Sequence, residues 1–265
     1  MSAAQTPGEI TGQTAGKPTE LVHLEAADGI ATITLDSPHN RNALSRQLVT
    51  ELFDRLEAAE RDDAVKVVVI RSSGRVFCSG ADLSEAATVG MEEGSRAMVR
   101  MQRQIVAMPK PVVVELAGPV RAGGIGIVAA ADLVVAAEDA TFALTEVKLG
   151  LAAAIISLTV HHRMTPRAAA LTTLGGEVFS GTDAAAYGLV TKAVPAERVG
   201  EEVAALCASL ATGAPQGLRE SKRILNHELL ARIDGLGEEM AALSARLFAS
   251  EEAKAAMTAF LTRKG

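Results

Sequence analysis

The stretch PVVVELAGPVRAGGIGIVAAADLVVA, residues 111–136, decides the fold class. It opens on a β-branched run, Val112-Val113-Val114, that reads as a strand buried on both faces. Gly118, Gly123, Gly124 and Gly126 then crowd into a turn and the start of a short Ala-rich helix. Residues 133–136 return to a strand pattern. Strand, helix and strand in so short a span point to an α/β protein.

The same alternation extends outward. Upstream, residues 21–26 and 30–35 flank Ala27-Asp28-Gly29, a tight-turn signal for a hairpin, and Ser37-Pro38 stops the second strand. Leu48, Leu52, Phe53, Leu56 and Ala59 fall on one face of a helix. Residues 65–71 read as a buried strand, followed by a loop to Asp82 that holds Gly74 and Gly80. Met98, Met101, Ile105 and Met108 mark a helix ended by Pro109 and Pro111. Downstream, 141–144 predicts a short strand, Thr165-Pro166 a helix start, Gly175-Gly176 its stop, Thr182-Asp183 a short helix and 189–194 the last strand. From Ala196 the pattern is helical, with stripes such as Leu236, Met240, Leu243 and Leu247. The expected organisation is a disordered tail over 1–19, an α/β core over 20–195 and a helical region over 196–265.

Composition narrows the function. With 48% hydrophobic and 22% charged residues the chain has a soluble globular balance. A net charge of −6 argues against nucleic acid as a partner, and no Trp, one Tyr and six Phe leave no stacking platform. Cys78 and Cys207 are too few for a disulfide framework or a zinc knuckle, and read as reduced thiols of a cytoplasmic protein. The longest apolar runs are broken by Asp132 or span only 149–160, short of a membrane helix. No basic start precedes an apolar segment, so no secretory signal is expected.

Four places carry chemistry. Residues 124–129 fit G-x-G-x-x-A, but the motif does not follow its strand directly, and the next strand begins too soon for a dinucleotide unit. The remaining readings are close helix packing, or backbone N–H groups facing an anion or a polarised carbonyl. Residues 77–83 form a small-residue loop after a strand, either a site or a plain connection. Cys78 has no His or Lys near it in sequence and is not expected to be a nucleophile. Glu146 lies in an apolar stretch, either as a proton-transferring carboxyl of raised pKa or as a surface partner of Lys148. His161-His162 would point about 100° apart on a helix, and no carboxylate stands at ligand spacing, so no metal is expected.

In order along the chain, these segments resemble the enoyl-CoA hydratase/isomerase (crotonase) superfamily. The resemblance rests on Ser37 to Ser45, the loop Phe77 to Leu83, the turn Ala117 to Gly124 with its Ala-rich helix and Asp132, and the segment Phe142 to Gly150. It continues through Phe179-Ser180-Gly181 with Tyr187 to Val190, and ends on Phe260 with Arg263. It implies a spiral of ββα units with a C-terminal helical trimerisation region, and a homotrimer or dimer of trimers. It also implies acyl-CoA substrates with no separate cofactor. The backbone N–H groups of Ala81 and Gly123 are implied as an oxyanion hole and Glu146 as the acid/base. Substrate contacts are implied at Arg41, Asn42, Ala43, Gly80, Asp82, Leu83 and Gly124, with Phe260 and Arg263 approaching coenzyme A on a neighbouring subunit. One departure stands out: the position of the family's first glutamate, three beyond Gly123, is Gly126. Bacterial hydratases of branched glutaconyl-CoA type resemble the chain here. The expected activity is therefore hydration of a 2-enoyl-CoA with a single glutamate. The alternatives are an enoyl-CoA isomerase and a non-catalytic acyl-CoA-binding protein.

Overall fold

The computed structural model describes residues 19–85 and 91–262, with side chains as far as Ala259. The expected tail, apart from Thr19, the Phe260 side chain and Arg263 lie outside the described residues.

The hairpin pairs β1 (Val22–Ala27) with β2 (Ile30–Leu35) in antiparallel register, closed by Asp28 and Gly29 at positive φ of 52° and 78°. Helix α1 (Arg46–Arg61) follows, its N-terminus capped by the Ser45 hydroxyl, which accepts from the Leu48 N–H. Leu48, Leu52 and Leu56 bury its inner face. Strand β3 (Val67–Ser72) then pairs parallel with β2. Helix α2 (Glu92–Ala107) crosses over to β4 (Val112–Leu116), parallel to β3. The quoted stretch continues through β5 (Val120–Arg121), α3 (Gly123–Ala130) and β6 (Leu133–Ala137), which lies parallel to β4.

Next come β7 (Thr141–Ala143), α4 (Ala154–Arg163), α5 (Pro166–Gly175), β8 (Phe179–Ser180), α6 (Gly181–Ala186) and β9 (Lys192–Val194). The main sheet runs β1-β2-β3-β4-β6-β9. A second sheet of three short strands, β5-β7-β8, stands apart from it. Phe142 and Phe179 stack across β7 and β8 with ring centroids 5.3 Å apart. The chain ends in α7 (Val199–Ala211), α8 (Pro215–Leu225), α9 (His227–Phe248) and α10 (Glu251–Thr262). The α/β fold with its C-terminal helices is the one expected from the sequence.

Two local expectations change. The last strand is Lys192–Val194 rather than 189–194, because Gly188 at φ 86° turns the chain and the Leu189 N–H bonds back to the Ala184 carbonyl. The short helix begins at Gly181. Its cap is Ser180, in a reciprocal box with Asp183. Within the apolar run 149–160, a 3₁₀ turn, Glu146–Leu149, ends and α4 begins.

A buried polar cluster fastens the helical region to the core. Lys222 on α8 places its ammonium 2.8 Å from the Asp132 carboxylate and donates to the carbonyls of Ile105 and Lys110. Asn226 donates to the other Asp132 oxygen, and Arg163 donates to the Asn226 side chain and to the carbonyls of Ala129 and Ala131. Among the described residues no helix is long and apolar enough to cross a membrane.

Candidate active site

A cavity of about 1690 Å³ opens between the loop after β3, the start of α3, the segment 145–156 and the end of α9. Its floor is built by a close approach of two backbones. The Phe77 N–H donates to the Pro119 carbonyl at 2.9 Å, and the Arg121 N–H to the Cys78 carbonyl at 3.0 Å. Gly80, at φ 96°, then passes so near Ala122 that a Cβ on it would lie 2.9 Å from the Ala122 Cβ. Only glycine permits both that conformation and that approach. Ala122 is itself held at φ 46°, an uncommon setting for a residue with a side chain. The residues that follow these two, Ala81 and Gly123, both line the cavity. Gly123 is the first residue of α3, where N–H groups have no intrahelical acceptor. Among the described residues neither the Ala81 nor the Gly123 N–H has a hydrogen-bond acceptor. Two such donors on one cavity suit an oxygen that gains negative charge.

Glu146 opens the 3₁₀ turn after β7 and lines the same cavity. One of its carboxylate oxygens is buried with no hydrogen-bond partner among the described residues. Burial pushes its pKa up to about 7, only partly offset by a backbone hydrogen bond. Lys148 does not neutralise it, because its ammonium lies 2.8 Å from Glu177. The surface-pair reading of Glu146 therefore fails, and a carboxyl able to take up or release a proton near neutrality stands in the cavity. Asp82 is different. Burial works against its charge, but hydrogen bonds from Ser84, the Glu85 backbone and Asn40 hold its carboxyl below the usual range. Cys78 is buried, and burial pushes its thiol up to about 12, so it stays neutral.

The other sequence-selected residues divide into two groups. Arg41, Ala43 and Leu83 line the cavity. Asn42, Gly80 and Gly124 do not, and instead shape the wall from behind. Asn42, at φ 52°, accepts from the Ser37 N–H and donates to the carbonyls of Val76 and Phe77, which locks one loop against the other. Gly124 faces Cys78, whose Cβ would be 2.6 Å from an added methyl. The glycine run is thus both a tight packing point and a source of free N–H groups. His161 Nε2 lies 3.2 Å from the Thr173 hydroxyl, and among the described residues no cluster of metal-binding side chains occurs.

Three contributors had no sequence signal of their own. Met98 marks the helical stripe of α2, and it also lines the cavity. Ile156 and Phe248 do so as well, and the apolar stripes of α9 mark a buried face without showing that its edge borders a site.

The sequence model of the enoyl-CoA hydratase/isomerase family matches residues 25–265. A crystal structure of an enoyl-CoA hydratase from Mycobacterium avium superposes with a TM-score of 0.87 at 41% identity, covering 92% of this chain and 97% of that one. A Thermus thermophilus protein provisionally named an enoyl-CoA hydratase is 35% identical over 79% of this chain and 83% of its own. The hydroxycinnamoyl-CoA hydratase-lyase of Pseudomonas fluorescens is 31% identical over 76% of each chain. A match that spans nearly the whole described core, over a cavity with this arrangement of N–H groups and carboxyl, places the chain in the enoyl-CoA hydratase/isomerase family.

Proposed function

We propose that the chain is an enoyl-CoA hydratase-type enzyme in which Glu146 alone carries the proton. The observation that carries this reading is the unpartnered, buried Glu146 oxygen on the cavity that also bears the Ala81 and Gly123 N–H groups. The thioester oxygen of a 2-enoyl-CoA accepts from those two N–H groups. The Glu146 carboxylate takes a proton from a water molecule, and the water oxygen bonds to C3. The C2=C3 electron pair moves onto the thioester as an enolate, whose negative oxygen the two donors stabilise. Glu146 then returns its proton to C2, so one water is added and the carboxylate is restored. Coenzyme A enters as part of the substrate, and no separate cofactor takes part.

A second reading, movement of the double bond in a 3-enoyl-CoA, uses the same groups without water. It is favoured by one observation: no acid stands on α3, where Gly126 is packed against Ile156. Glu146 takes the C2 proton and returns it to C4 while C3=C4 becomes C2=C3.

Assays with crotonyl-CoA and with a 3-enoyl-CoA separate the two, since hydration consumes the conjugated enoyl absorbance and isomerisation creates it. Glu146→Gln keeps the shape and removes the base. A kcat loss of at least about 10²-fold with acyl-CoA Kd nearly unchanged is expected. Turnover within threefold of wild type would place the acid elsewhere. Binding without turnover in the wild-type protein would make the chain an acyl-CoA binder.

A further inference from the structure

Gly126 lies one helical turn beyond Gly123, so a side chain there would leave α3 on the flank that borders the cavity. Its place is taken. A Cβ at 126 would lie 2.6 Å from Ile156 Cγ2 and 3.3 Å from Ile156 Cβ. Ile156 belongs to the first turn of α4, is 4% exposed and lines the cavity, whereas Gly126 does not. A polar side chain, Gln102, lies beside it, its amide carbon 3.4 Å from the same Cβ. That amide is turned away and satisfied. Its oxygen accepts from the Thr159 hydroxyl at 2.7 Å, and its nitrogen donates to the carbonyls of Met98 and Ile155. Met98, Ala153 and Ile156 complete this flank of the cavity with apolar surface. An ordered water needs two to four polar partners, and these side chains offer none.

We propose that Ile156 is a specificity-determining residue whose side chain, seated over Gly126, keeps water from the α3 flank and so favours return of the proton to the acyl group over addition of water. This rests on the reading of Glu146 as the proton carrier. The seat also limits what position 126 can accept, because Ile156 is held by a helix and cannot swing aside as a long flexible side chain would.

Two rates measured on the same folded protein test the proposal: crotonyl-CoA hydration, followed by absorbance, and exchange of the C2 protons of butyryl-CoA into deuterium oxide, followed by NMR. Ile156→Ala should raise the ratio of hydration to exchange by about tenfold, the scale on which a few carbons of pocket wall discriminate. Ile156→Val, which removes less and preserves the fold, should move it in the same direction by less. An unchanged ratio in both variants, with both reactions present, overturns this inference and leaves the proposed function standing. Neither reaction in the wild-type protein overturns the proposed function and this inference with it. The seat is tested without turnover by a thermal cycle. Gly126→Ala should lower the Tm by at least about 3 °C in the wild-type background and by clearly less beside Ile156→Ala. Additive shifts would show that Ile156 does not occupy the place of a side chain at 126.

Discussion

Glu146 illustrates how much one carboxyl can lose and gain from its setting. Packing removes it from water, and its pKa moves from 4.5 to about 7. A group raised in this way penalises the folded state once it ionises. Below about pH 4.5 the carboxyl is protonated in both states and the penalty is absent; above pH 7 it is complete, about 3 kcal/mol. Glu146→Gln is therefore expected to be more stable than the wild type at pH 8, with the advantage shrinking toward pH 4.5, as paired urea titrations would show. A wild type as stable as the variant at pH 8 would contradict a buried carboxyl with one oxygen left without a partner. Ala81 supplies the complementary prediction. Ala81→Pro removes an N–H that bonds to nothing else among the described residues, so a folded variant should lose about 10²–10³ in kcat with its stability little affected by a lost hydrogen bond. Full activity in that variant would remove Ala81 from the oxyanion site.

At the scale of elements, the joint between the core and the helical region is the most exacting feature. Lys222 is only 5% exposed, and its charge is met by Asp132 at 2.8 Å. Burial pushes the Lys222 pKa down while Asp132 pushes it back up. Asp132→Ala leaves a buried ammonium without its counter-charge and also strips the acceptor from Asn226 and from the Val112 N–H. We expect a loss of about 3–5 kcal/mol, read from the urea midpoint. Lys222→Met removes the charge together with its need for a partner and should cost less. Equal losses would show that the pair matters as packing rather than as charge. The long elements of this scale were visible in the sequence, because Leu48, Leu52 and Leu56 repeat at helical spacing and Val112 to Val114 form a β-branched run. The sheet of β5, β7 and β8 was only partly visible. Its strands are two to three residues long, too short to set up a period, and exist only because the chain folds back on itself.

The whole molecule leaves apolar side chains in water. Leu171 and Leu174 on α5 are 62% and 75% exposed, Val178 beyond it is 60% exposed, and Ile224 and Leu225 at the end of α8 are 68% and 77% exposed. We expect these side chains to be covered by another copy of the chain. We expect sedimentation at micromolar concentration to give three or six times the chain mass, and Leu174→Glu to raise the proportion of smaller species. A monodisperse monomer in the wild type would defeat the expectation. Surface ion pairs such as Arg96 with Glu238 and Arg103 with Asp234 join α2 to α9 but are exposed and add little.

Taken alone, the sequence determined the α/β class, the hairpin, the order of the long elements and the identity of the loops that bear Ala81, Gly123 and Glu146. Each of these is written locally, in hydrophobic periods, turn pairs and motifs that the chain carries whether folded or not. Only the tertiary structure decided between the readings the sequence left open. It turned Lys148 toward Glu177 and left a Glu146 oxygen without a partner. It set Asn42 and Gly124 behind the cavity wall rather than on it, and put Ile156 over Gly126. The physical reason is that burial, and with it a carboxyl's pKa or the space around a missing side chain, is a property of residues distant in sequence that packing brings together.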